Sequence, residues 1–521
     1  MAHFREHETR LHPKYEKYDL SGIQWEPHPT IVNQDGQPLP VIKGARKAGA
    51  IMNNLALGPR EVEKLLAEAS QSKELPPAFG MNLLGMLFVV INTKEDILNG
   101  LSRPDIFLPS IFQTRFFAPF IGEGPPSSLG EQHDLHKATY NRVFMTELSK
   151  LQDALVGILP NEIEKIITQL KQGDFNLAEM NTIIGKSTFE LIFAGEFSDQ
   201  EKKFLINFVD KVFAKAPLGA LLPEGVMKVA AWLYFRKNKA HGLVDKVVER
   251  RILSHLRTLE SPNQPDITDR FVEEYLQLKA IQPDTHAEKW EEAVSHQPAL
   301  AEVRQLVLDA ALSAMAVSFD NTSAALKAAL VELSLNPDIL QELYQEYRSH
   351  QAPDTLRPTQ FPKLLSFIYA LLQKWSPTSK TGKHLAQETM IAGYTLPADT
   401  EVLLNLWKVG RGNEEQYLND HTPLSAFYPS QELGGAQLMR ALANLPMFGQ
   451  QVEKRTGEDK IPPESGRECP GRLLALHILF KFLTEIITHF EAIELRSSLS
   501  VANKSTLHLD GRVAATERVG Q

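Results

Sequence analysis

Residues 306–319, LVLDAALSAMAVSF, are apolar nearly all round, with Asp309 as the only charge. A helix with no polar face has nothing to offer water on any side, so it belongs in the middle of a fold. The same periodicity extends over 300–336 and stops at Pro337, giving a helix long enough to span one large domain. A second segment, 472–490, is apolar except for Arg472, His477, Lys481, Glu485 and His489 at helical spacing. It also reads as a mostly buried helix.

Helical periodicity predicts further helices over 59–72, 131–153, 176–194, 199–214, 224–259, 267–281, 337–350 and 361–375. Strand signals are few: MLFVVIN at 86–92, ETMIAGYTLPADTEVLLN at 388–405 with a turn inside it, and the tail over 491–515. The expected fold class is mainly α, one large helical domain over 49–521 with a small β-sheet region. Residues 1–48 are polar and rich in Pro, Gly and His, and read as an irregular arm lying on that body.

Charge limits the partners. With 55 basic and 64 acidic residues the net charge is −9, and no basic footprint for nucleic acid stands out. The N-terminal stretch is charged and has no apolar signal region, and no uninterrupted apolar run reaches spanning length. The expectation is a soluble, cytoplasmic protein without a transmembrane anchor.

One cysteine, Cys469, occurs in 521 residues. It rules out an intramolecular disulfide and every multi-cysteine metal motif, in keeping with a reducing compartment. Its setting, ESGRECPGRLL, leads directly into the second buried helix. Free backbone N–H groups at a helix start and the charge of Arg467 favour thiolate. Pro470 suits a first helical turn, and Gly471 leaves room for a flat group to approach. A lone cysteine is more commonly a small buried hydrophobe. Against that, a haem iron needs one strong axial ligand and a large apolar slot, which two long buried helices provide.

The residues resemble the cytochrome P-450 superfamily, in which an R-x-C-x-G loop carries the thiolate; here these are Arg467, Cys469 and Gly471. Further segments agree in order. GYTLPADTEVLLNLW at 393–407 and AFYP at 426–429 are similar to the family's sheet segment and the F-x-P after it. VSFDNTSAALKAALVELSLNPDI at 317–339 resembles the long distal helix, and GEQHDLHK at 130–137 the haem-covering helix.

The resemblance implies a P-450-type fold binding haem b, with Cys469 as the axial iron ligand. It implies that Arg467, His133, Lys137 and either Lys380 or Lys383 hold the haem propionates. Asp320, Asn321 and Thr322 would stand over the iron as catalytic residues. Each basic residue is otherwise an ordinary solvated charge, and the polar run 320–323 otherwise a cap where a helix meets water. The Phe-rich stretch 106–120 lines the substrate channel on this view, or is core.

Three departures matter. The family's E-x-x-R falls on Leu371 and Lys374, and its later arginine near Gln431, so the whole network is replaced. The distal acid Asp320 is followed by Asn321, with Thr322 one place later; an amide holds oxygen by hydrogen bonding but relays no proton as a hydroxyl does. Cys469 lies 469 − 448 = 21 positions after Phe448, roughly three times the family's spacing, because a polar segment is inserted. On the face where a reductase normally docks, that insertion argues against a reductase partner.

Together with His133 and Lys137 these features resemble the allene oxide synthase and hydroperoxide lyase branch. That similarity implies cleavage of the O–O bond of an apolar, fatty-acid-type hydroperoxide. The alternatives are a conventional reductase-dependent monooxygenase and a haem-binding protein without turnover.

Overall fold

The computed structural model describes residues 25–42, 76–83, 86–111, 113–114, 118–146, 148–219, 237–257, 266–284, 289–318, 320–350, 357–378, 380–411, 422–449, 468–497, 500–503 and 507–518. Helices dominate and enclose a large apolar core that includes both segments singled out above. The expected class, mainly α with a small sheet region, is what the chain forms. Among the described residues no helix is long and apolar enough to cross a membrane.

The helices that build the site are α1 (Gly130–Asn141), α2 (Met180–Phe193), α3 (Ile267–Leu278), α4 (Leu300–Ser318), α5 (Asp320–Leu335), α6 (Pro362–Lys374) and α7 (Arg472–His489). α4 and α5 lie on either side of residue 319 and together cover the long helix predicted over 300–336. From Val307 to Met315 every α4 side chain is buried, Asp309 and Ser313 included, as an all-round apolar helix requires. The helix predicted over 131–153 instead ends at Asn141. A π-helical turn, Arg142–Thr146, follows it before the next helix, Leu148–Lys171. The helix expected at 59–72 lies outside the described residues.

The main sheet runs in the order β1 (Trp25–Val32), β2 (Pro38–Ile42), β3 (Ala78–Leu83), β4 (Met86–Ile91), β7 (Glu401–Asn405), β6 (Lys380–Leu385), β5 (Phe107–Pro109). β4 is an unbroken apolar run because it is central: it pairs antiparallel with β3 and parallel with β7, and Val89, Val90 and Ile91 are fully buried. The irregular arm expected over 1–48 is corrected here. Its described part, 25–42, is a strand pair that joins the sheet through β2 on β3. Proline and polar residues hid it because β1 is an edge strand, where a missing N–H costs little.

The replaced network has a clear substitute. Glu332 on α5 is fully buried, and Lys374 at the end of α6 places its ammonium 2.8 Å from Oε1. The Trp375 indole N–H donates to the same oxygen at 2.6 Å, and the Asn336 amide donates to the other at 3.1 Å. Both carboxylate oxygens are therefore matched, which is what makes a charge tolerable at this depth. Lys374→Met is expected to destabilise the fold by about 3–5 kcal/mol, because it leaves Glu332 buried without its counter-charge. Urea unfolding checks this; a loss under about 1 kcal/mol would show that the pair is dispensable.

Candidate functional site

Two adjoining cavities, of about 240 and about 230 Å³, meet at Cys469, and both are lined by Tyr140, Val317, Thr378, Met447, Phe448, Cys469 and Pro470. The first lies between α4–α5 and α7. Its α4–α5 wall is Ala314, Val317, Ser318, Asn321, Thr322 and Ala325, an i, i+3, i+4, i+7 stripe of small or slender side chains that leaves room beside the helix. Its other wall is Leu474, Ala475, Ile478 and Leu479 of α7. The second cavity is more polar and is reached by His133, Lys137, Ser313, Lys383 and Glu468.

The cysteine loop is held at several points. The Cys469 N–H donates to the Phe448 carbonyl at 2.5 Å, so the chain on the two sides of 450–467 meets at this bond. The Arg472 guanidinium donates to the Cys469 carbonyl at 2.8 Å. Burial pushes the Cys469 thiol up, while the Gly471 N–H and then Lys137 and Arg472 pull it down. The helix start and nearby cations therefore act as the sequence suggests, but burial outweighs them. Thiolate at this position calls for a further positive centre at the sulfur, which a coordinated metal ion supplies.

His133 and Lys137, one turn apart on α1, are both buried and face the second cavity together. The His133 ring lies 3.1 Å from the Asp134 carboxylate. Lys137 donates to the Glu468 carbonyl, and the Glu468 carboxylate is 3.7 Å away. Lys383 on β6 is buried and lines the same cavity; Lys380, on the same strand, does not line it. Arg467 lies outside the described residues, and Arg472 is the arginine found at the loop. Its spacing from the cysteine offered no motif, so it passed for part of the polar stripe of α7.

The distal trio separates. Asn321 and Thr322 line the first cavity, but Asp320 does not: it points to α2, where the Asn181 amide donates to it at 3.2 Å. The Thr322 hydroxyl donates to the Ser318 carbonyl at 3.0 Å. Across the cavity the Thr378 hydroxyl meets the Asn321 amide oxygen at 3.5 Å. Thr378 was not singled out from sequence because it lies in an irregular connection between α6 and β6. The Phe-rich stretch divides where it is described: Phe107 and Phe120 are buried core and line neither cavity, while Pro109 and Gln113 line the second, and the cavity aromatics are Tyr140, Phe144 and Phe448.

Behind the second cavity the loop at Gly122–Gly124 crosses α4 closely. A Cβ at Gly122, whose φ is +82°, would meet the Asp309 backbone at 2.6 Å, and one at Gly124 would meet Ser313 Oγ at 2.5 Å. Burial pushes Asp309 up to about 6, opposed by the Gln305 amide donating at 3.0 Å.

Compared with known proteins, residues 50–420 match the family model described as Cytochrome P450; the match ends before Cys469. Cytochrome P450 1A1 of Limanda limanda is 26% identical over 278 residues, covering 52% of this chain and 46% of that protein. Cytochrome P450 93B2 of Gerbera hybrida is 28% identical over 197 residues, 36% of this chain and 34% of its own length. The chain thus spans half or less of the length of these relatives. Two solved structures share the fold, each with a TM-score of 0.63. A zebrafish cytochrome P450 determined with progesterone is 16% identical, covering 88% of this chain and 99% of its own. A mutant heme domain of cytochrome P450DA is 15% identical, covering 92% and 97%.

Asp309 yields a pH test. Its folded-state value lies above the ordinary carboxyl value near 3.9, so between about pH 4 and 6 the folded chain holds more protons than the unfolded one. Stability from this group is present at low pH and is lost as pH rises through about 6. Asp309→Asn removes that loss. The variant should therefore gain on the parent between pH 4 and pH 7 by up to about 3 kcal/mol in denaturant unfolding. A difference that does not change with pH would contradict the assignment.

Proposed function

The chain belongs to the cytochrome P450 family, a family of haem enzymes, and from that premise we propose that this one cleaves the O–O bond of an apolar hydroperoxide without electrons from a reductase. The observation that carries the proposal is the α5 wall of the first cavity, where an amide, Asn321, faces the space while the acid Asp320 is tied to Asn181. Activation of dioxygen needs protons delivered to a bound oxygen, and a carboxyl group turned away delivers none there. A ready-made peroxide needs no such delivery.

The family implies a haem held by a cysteine thiolate, and the residues fit it. Cys469, the only sulfur donor of its kind, opens on both cavities, and no second cysteine exists to attach a haem covalently, in keeping with haem b. His133, Lys137 and Lys383, with Arg467 from the cysteine loop, are the candidates to hold its carboxylates. When bound, the haem supplies the redox chemistry, and a thiolate donor favours O–O cleavage.

The chain's own residues do the rest. The Gly471 N–H and the charges of Lys137 and Arg472 stabilise negative charge on the sulfur. The Asn321 amide group, its oxygen facing Thr378, has N–H donors free to hold a peroxide oxygen. The walls formed by Ala314, Val317, Ala325 and Leu479 exclude water from the apolar substrate. The polar segment 450–467, which lengthens the chain before the cysteine to roughly three times the family's spacing, supports the independence from such a partner. In this reading 49–521, with the strand pair 25–42 added to its main sheet, is one catalytic domain.

A second reading, reductase-dependent oxygenation, is favoured by one observation: the Thr322 hydroxyl also lines the cavity. The two separate in one assay. Anaerobic protein supplied with a fatty-acid hydroperoxide and no reductant should consume it, and Asn321→Leu should lower kcat roughly a hundredfold while haem content is kept. Turnover only with dioxygen and reductant, insensitive to Asn321 and abolished by Thr322→Val, would select the second reading. In the same preparation the reduced protein under carbon monoxide should show a strongly red-shifted band that is lost in Cys469→Ala.

A further inference from the structure

Lys137 is a buried cation whose partner belongs to the chain itself. Its ammonium donates to the Glu468 carbonyl and lies 3.7 Å from the Glu468 carboxylate, and only 13% of the Glu468 side chain is exposed. Glu468 comes from a different element than Lys137 and stands one residue before Cys469. One side chain of α1 therefore grips the cysteine loop by a hydrogen bond and an ion pair at once. A buried lysine whose only partner was a cofactor carboxylate would stand uncompensated in the chain before the cofactor arrived. Glu468 removes that cost. The electrostatics agree: burial pulls Lys137 down, and the strongest opposing influence is Glu468, followed by Cys469.

We propose that Lys137 is a positioning residue that acts through Glu468: the pair latches the cysteine loop to α1 and fixes where the sulfur stands between the cavities. The proposal rests on the haem-thiolate reading above for its consequence, retention of haem, but the latch itself is a contact within the chain. It is the counterpart, on the α1 side, of the Phe448 and Arg472 bonds that hold Cys469 from the other sides.

The test is a double-mutant cycle of Lys137→Met and Glu468→Gln, read as the rate of haem transfer to apomyoglobin and as the Tm of the purified protein. Under the latch, Glu468→Gln speeds haem loss by roughly tenfold, the cost of removing a charged hydrogen-bonding partner. Lys137→Met does at least as much, and the double variant loses haem no faster than Lys137→Met alone. If Lys137 serves only a haem carboxylate, Glu468→Gln frees it, and haem loss is unchanged or slower. That sign, or two effects that multiply, overturns the proposal, and the sign for Glu468→Gln decides even where Lys137→Met does not fold. Should the parent protein bind no haem, the haem-thiolate reading fails by itself. The Tm cycle then still judges the latch: non-additive losses support it and additive ones overturn it.

Discussion

Glu332 holds a negative charge at zero exposure, and the arrangement of the site follows from how that charge is matched. Desolvating a carboxylate costs several kcal/mol unless donors surround it, so α6 has to end where Lys374 and Trp375 both reach α5. With Trp375 fixed, the connection beyond it is short of freedom. The Ser376 hydroxyl donates to the Thr378 carbonyl at 2.7 Å, and the Trp407 indole donates to the Ser376 carbonyl at 3.0 Å. Thr378 is thereby presented to both cavities and to Asn321. A charge deep in the core thus sets the position of a hydroxyl at the site, through an indole and two backbone carbonyls.

The cysteine end obeys the same rule with the opposite sign. Here the buried charges are positive, Lys137 and Arg472, and the group they face is a thiol that burial drives toward its neutral form. Arg472 gives one N–H to the Cys469 carbonyl, while its Nε is buried without a hydrogen-bond partner among the described residues. Lys137 is matched by Glu468, so the unmet charge beside the sulfur and the apolar slot is that of Arg472, and it suits an anionic group there.

Much of this was legible in the sequence, and the exceptions have physical causes. The all-round apolar pattern at 306–319 announced a central helix because burial on every side leaves no other composition. Cys469, His133 and Lys137 come together at one pair of cavities, as the motif order implied, and of the two lysines left open, Lys380 and Lys383, it is Lys383 that joins them. What replaces the Glu-x-x-Arg pair was not legible, since Glu332 and Lys374 are 42 residues apart and only the packing of α5 on α6 brings them together. Glu468 and Thr378 escaped for the same reason: each is an ordinary polar residue in a connection until a partner from a distant helix defines it. The strand pair at 25–42 escaped because β1, at the sheet edge, tolerates its prolines and β2 pairs with β3 only at Val41, past its own two, so local composition outweighed a faint alternation.

The separation of Asp320 from Asn321 and Thr322 is a matter of angle. Successive helical residues are set about 100° apart, so a cavity wall admits positions 314, 317, 318, 321, 322 and 325 and turns 320 aside. Asp320 falls instead on the face packed against α2, where Asn181 satisfies it. An acid placed directly before a cavity-facing residue is thus removed from the cavity by the geometry of the helix. Asn321 takes the position over the space, and Thr322 beside it spends its proton on the Ser318 carbonyl one turn back. Of the polar side chains on this wall, the hydroxyls of Ser318 and Thr322 donate to carbonyls one turn back, at Ala314 and Ser318, while Asn321 presents an amide, which holds an oxygen atom by hydrogen bonding.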